Sequence, residues 1–174
     1  MSILSNIYFI LVLRIAHIAG GVIWVGGAIL YLFLLIPVAR SAESAGQKFM
    51  QTLGPRFGKM MGIVTTVTVL SGALLYARYL EAGLAFMWTT HAGLAFTIGA
   101  LAALASYVIG ATVFGRTQEK IGALGAAMQS AGGPPKPEQL AEMNRLQAFL
   151  MKAYRIDFVL LVVAMTAMAV ARYL

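Results

Sequence analysis

Two histidines, His17 and His91, and one arginine, Arg14, stand inside or beside stretches apolar enough to cross a membrane. They are the only imidazoles in the chain, and there is no cysteine. Thiolate metal sites, disulfides and covalently attached c-type haem are thereby excluded. An imidazole in such a setting is a ligand for a transition metal or for haem iron. An arginine in hydrocarbon costs about 2.5–3.5 kcal/mol on insertion scales, and such residues usually face a bundle interior or a cavity. Arg14 precedes His17 by one helical turn. A haem on the imidazole would bring a propionate within reach of its bidentate guanidinium. Near the end of its helix, Arg14 could instead snorkel to the surface.

Counted at 3-4 spacing from Arg14, one helix face carries Arg14, His17, Gly21, Trp24, Ala28 and Tyr31. The expected cofactor-binding residues are His17, His91, Arg14, Gly21 and Trp24, with His17 and His91 on the metal. The third apolar run offers His91, Ala95, Gly99, Ala102, Ser106 and Gly110 on one face. Small residues leave room for a flat macrocycle, although close transmembrane helix contacts use the same residues. His17 precedes the basic marker Arg40 by about 23 residues, and His91 precedes Arg116 by about 25. On parallel helices these counts put the two imidazoles at one depth, within roughly one turn, in the outer half of the bilayer. Bis-histidine ligation of haem b is the reading this supports; copper is the alternative.

Ten methionines supply further soft donors, with Met60 beside Met61 and Met165 near Met168. Methionine also fills gaps in any apolar core, which is the simpler reading here. Asp157, flanked by Lys152 and Arg155, reads as an interfacial pair or helix anchor. The sequence has no nucleophile–base constellation, paired carboxylates or phosphate-binding glycine loop.

The elements that must position these residues are transmembrane helices. Of 174 residues, 60% are hydrophobic and 11% charged, against about 25% charged in a soluble domain. Residues 1–174 are expected to form one all-α, four-helix transmembrane domain. The apolar runs are Ile7–Val38, Met60–Tyr79, Leu84–Phe114 and Phe158 to the end. After the linker "GGPPKP", Pro137 starts a long last helix whose first half extends into the cytoplasm. The net charge of +7 does not point to nucleic acid, because Lys and Arg stand between apolar runs rather than in a stripe with aromatics. The basic segments 39–59 and 115–157 predict an N-out/C-out orientation. Tyr8, Tyr76, Tyr79, Trp88 and Tyr173 then fall near the outer interface.

"RIAHIAGGVIWVGGAILYLFLLIPVAR" (14–40) resembles the first helix of two linked groups of small membrane proteins. One is the CopD-type copper-resistance domain, with its "H…WxGG" pattern. The other is the HemJ-type protoporphyrinogen oxidase, whose His, Trp, Gly and Pro correspond here to His17, Trp24, Gly27 and Pro37. "RFGKMMGIVTTVTVLSGALLYARYL" is similar to the second helix of both, with a mid-span glycine at Gly72, and "WTTHAGLAFTIG" to the third. The HemJ-type third helix has a lysine near this point, where His91 is the nearest polar residue. "RIDFVLL" stands in place of that group's Asn-Glu-Pro-Thr signature. The resemblance implies a multi-pass protein of the bacterial inner membrane that binds haem or copper. The expected function is cytochrome b-like electron transfer, or an accessory redox subunit with haem near the outer face. Copper handling, porphyrinogen oxidation and a structural subunit are the alternatives. Expected partners are the lipid bilayer, and quinone, a larger membrane complex or a second copy of the chain.

Overall fold

The computed structural model describes residues 6–80 and 83–174. The side chain of Tyr79, expected near the outer interface, lies outside them. Helix α1 (Ile7–Leu30) is capped by Asn6, whose side chain accepts from the Tyr8 and Phe9 amides. It runs through a π-helical turn (Tyr31–Leu35) into α2 (Ile36–Ser41). Pro37 accounts for this turn, because it has no N–H to donate to the Phe33 carbonyl four residues back. After Ala42 the chain reverses into α3 (Glu43–Leu80). A short α4 (Phe86–Thr89) leads to α5 (His91–Ile109), which continues through a second π-helical turn (Gly110–Phe114) into α6 (Gly115–Ser130). The last helix, α7, is continuous over Pro137–Val170, as Pro137 leads one to expect.

Four helical stretches are long and apolar enough to cross a bilayer. The stretch Ile7–Ser41 has 35 residues. At about 1.5 Å per residue it reaches roughly 52 Å, against about 30 Å of hydrocarbon. The surplus lies at the end of the bundle that carries the basic residues. Segments 39–59 and 115–130, expected as loops, are therefore mostly helix. Their Ala, Glu, Gln, Lys and Met are good helix formers. Polarity there marks solvent around a helix, not the end of one.

The four stretches pack as a ring. The first lies against α3 and the third against α7, and the two pairs meet where α1 touches α7 and α3 touches α5. At the basic end, one aromatic from each stretch closes the core. Tyr31 stacks on Phe57 at 4.9 Å, and both Tyr31 and Phe114 meet the Tyr154 ring. At the opposite end Tyr8, Trp88 and Tyr173 are exposed, as suits interfacial rings. Tyr76 instead turns inward and bonds Thr97 at 2.7 Å.

Candidate functional site

His17 comes ten residues after the start of α1, about 15 Å along its axis. It is half-buried, and its Nδ1 lies 2.8 Å from the Thr68 carbonyl oxygen on α3. A carbonyl only accepts, so Nδ1 carries the proton and donates. Gly72 makes this possible. A side chain there would cover the carbonyl one turn earlier, and a Cβ would stand 2.7 Å from Cε1 and 2.8 Å from Nδ1 of His17. Ser71 Oγ donates to the same carbonyl at 3.1 Å. The ring is thus held through one nitrogen, and Nε2 is left as the atom able to ligate. Metal-bound histidines are commonly fixed in this way by a backbone carbonyl.

The packed face of α1 runs Ile10, Leu13, His17, Gly20, Trp24, Gly27 and Tyr31. It shares His17, Trp24 and Tyr31 with the expected stripe, because 3-4 and 4-3 counts coincide every seventh residue. The residues between differ. Leu13, Gly20 and Gly27 take the places foreseen for Arg14, Gly21 and Ala28. Gly20 decides the rotation: a Cβ there would collide with Thr68 Oγ1, whereas nothing lies within 4 Å of one at Gly21. Gly21 therefore leaves open space one turn from His17. Trp24 is buried in the core. Arg14 is exposed and makes no ion pair among the described residues.

His91 is the first residue of α5, exposed, behind a Thr90 side chain that accepts from the Gly93 amide at 3.0 Å. The Tyr76–Thr97 and Thr66–Tyr107 hydrogen bonds set the register of α3 against α5. In that register Thr68 and Gly72 face roughly residues 101–105, so His91 lies roughly 15–20 Å beyond the level of His17. The expected match in depth is not found. Its fault lay in the markers. Gln118 stands beside Gly54 on α3, near the Tyr31–Phe57 stack, and Arg116 is only about two residues past Phe114 of the same aromatic layer, whereas Arg40 lies about nine residues past Tyr31.

One group expected at the interface, Asp157, lies in the interior instead. Asp157 is 5% exposed and accepts a hydrogen bond from Ser106 Oγ. It does not pair with Lys152 or Arg155, which are exposed on other faces of α7. The signal was there in the spacing. Ala153, Asp157, Leu161 and Ala164 form the buried stripe of α7. Ser106 adjoins Tyr107, the partner of Thr66. The Ser106–Asp157 pair and the His17–Thr68 pair therefore occupy one layer of the bundle, on opposite helix pairs. Met61 and Met168 fill space, the first against Gly27 and the second against Gly99. Among the described residues no three of His, Asp and Glu converge as a metal site.

Comparison with protein-family models, curated proteins and solved structures finds no match for this chain.

Proposed function

We propose that the chain is a haem b-binding, multi-pass membrane protein of cytochrome b type, serving electron transfer or acting as an accessory redox subunit, with His17 as iron ligand. The observation that carries this reading is the His17–Thr68 hydrogen bond, which orients the imidazole and leaves Nε2 for iron. The donor chemistry fits haem better than a bare copper ion. Copper must gather its donors from the protein; no group of three His, Asp or Glu is present among the described residues, and Met61 and Met168 pack against Gly27 and Gly99. Haem brings four nitrogens of its own and needs one or two from the chain.

When bound, haem would supply one-electron redox chemistry. The chain's own residues hold and tune it. Thr68 fixes the ring plane of His17, Gly72 keeps the carbonyl accessible, and Gly21 leaves space beside the imidazole. Arg14, without a carboxylate partner among the described residues, is the counter-ion for a propionate. His91, distant from this level, is an end-of-helix residue in this reading. The basic turn between α2 and α3 and the basic stems of α6 and α7 point to the cytoplasm, with both termini outside a bacterial inner membrane. The test is the absorption spectrum of the protein purified from cells supplied with haem. A reducible Soret and α-band that vanishes in His17→Ala is expected; their absence from the wild type overturns the reading.

A further inference from the structure

At the basic end, an open groove of about 420 Å³ runs between the first helical stretch and α7. Its walls are apolar, with Phe33 and Pro37 on one side and Met151 and Phe158 on the other. Phe33 and Phe158 meet edge to face at 5.0 Å. Two arginines also line it, Arg40 from the last turn of α2 and Arg155 from α7. Both are exposed, and neither forms an ion pair among the described residues. The groove is therefore amphipathic in a particular sense: a hydrocarbon wall with two forked cations and no acid to neutralise them.

We infer that this groove binds an anionic phospholipid, its phosphodiester held by Arg40 and Arg155 and an acyl chain laid along the Phe33–Phe158 side. Guanidinium suits the phosphate because its planar fork donates two parallel hydrogen bonds to the oxygens. Basic pockets between transmembrane helices are recurrent headgroup sites for acidic lipids. A zwitterionic lipid offers the same phosphate but brings its own cation, which would face two uncompensated guanidinium groups. A neutral quinone would fill the apolar part and leave both charges unmet. The π-helical turn (Tyr31–Leu35) and the Pro37 that follows it supply Phe33 and Pro37 to the groove wall, so an irregular stretch of helix as well as charge sets the groove apart from an ordinary lipid-facing seam.

The test is lipid retention. The full chain is reconstituted in nanodiscs of equimolar phosphatidylglycerol and phosphatidylcholine, extracted in mild detergent, and its bound lipid counted by native mass spectrometry. The wild type is expected to retain phosphatidylglycerol preferentially. Arg40→Gln and Arg155→Gln should each lower that preference about fivefold, from about 1 kcal/mol per basic side chain, and the double variant should abolish it. Lys120→Gln, which removes the same charge from exposed α6, should leave it unchanged. Circular dichroism and gel filtration keep folding separate from binding. Equal retention of the two lipids by the wild type overturns the inference. So does a preference that survives in a folded double variant, or a dimer mass without lipid.

Discussion

His17 and Thr68 join the first two membrane helices through a 2.8 Å hydrogen bond from an imidazole nitrogen to a backbone carbonyl. That carbonyl already belongs to the α3 hydrogen-bond ladder. Besides its place in the ladder it meets Ser71 Oγ and His17 Nδ1, and the imidazole can reach it because Gly72, one turn on, puts no side chain in the way. The same contact fixes the tautomer of a residue that would ligate through its other nitrogen.

Gly72→Ala is therefore expected to act on His17 before it acts on the fold. The new methyl would press on Cε1 and Nδ1, and the ring, a movable side chain, is what gives way. With only two histidines in the chain, ¹⁵N-histidine labelling yields two imidazoles to follow by NMR. The wild type should show one ring with a hydrogen-bonded Nδ1 proton, assigned to His17 by its loss in His17→Ala. Gly72→Ala should remove that signature while helicity is retained. An unchanged His17 signal would mean that the carbonyl contact does not depend on Gly72.

Gly20 and Gly21 separate packing from site. A methyl at Gly20 would strike Thr68, a β-branched side chain with little freedom to turn. Gly20→Ala is expected to destabilise the α1–α3 pair by about 1–3 kcal/mol, the usual range for overpacking. Gly21→Ala meets nothing within 4 Å and should be neutral or slightly stabilising for the apoprotein. Thermal or SDS-induced unfolding in detergent measures both. Equal effects at the two positions would show that the face is rotated from the one described.

Much of this architecture was legible in the sequence. Hydropathy located the four spans, and Pro137 marked the start of the last helix. Two things were not legible, for physical reasons. Helix ends were misplaced because polar residues such as those in 43–59 report solvent, not helix termination. The depth of His91 is not legible because Arg40 and Arg116 are unequal markers: Arg40 lies about nine residues past Tyr31 of the aromatic layer, Arg116 only about two past Phe114. His17 stands out in the sequence because an ionisable residue amid hydrocarbon is conspicuous. Asp157 reads as interfacial because Arg155 and Lys152 stand near it in sequence, whereas the 4-4-3 spacing of the buried stripe of α7 places it inside.

The Ser106–Asp157 contact should behave as a coupled pair. Ser106→Ala removes the donor to a buried carboxyl group. In an Asp157→Leu background the same change removes a hydroxyl with no acceptor opposite it. A double-mutant cycle on unfolding in detergent is expected to give a coupling of about 0.6–1.7 kcal/mol, the range for interhelical hydrogen bonds in membranes. Additive effects would show that the pair contributes nothing specific. Asp157→Asn keeps an acceptor for Ser106 and should lie nearer the wild type than Asp157→Leu.

The ligand set is tested by comparing three variants of the haem-loaded protein. His17→Ala removes the only imidazole in the middle layer and should abolish the haem spectrum. His91→Ala removes an exposed side chain roughly 15–20 Å beyond that level, and should keep the wild-type Soret and α-band. Arg14→Ala should fall between them. It removes a propionate partner but no iron ligand, so haem binds less tightly. An unneutralised carboxylate near iron favours the ferric form and should lower the reduction potential. Potentiometric titration with haem dissociation assays checks the order. Loss of the spectrum in His91→Ala would restore the bis-histidine arrangement and require α5 to slide by several turns or a second chain to supply His91. A spectrum intact in His17→Ala would remove the basis of the haem assignment, because no other imidazole lies at that depth.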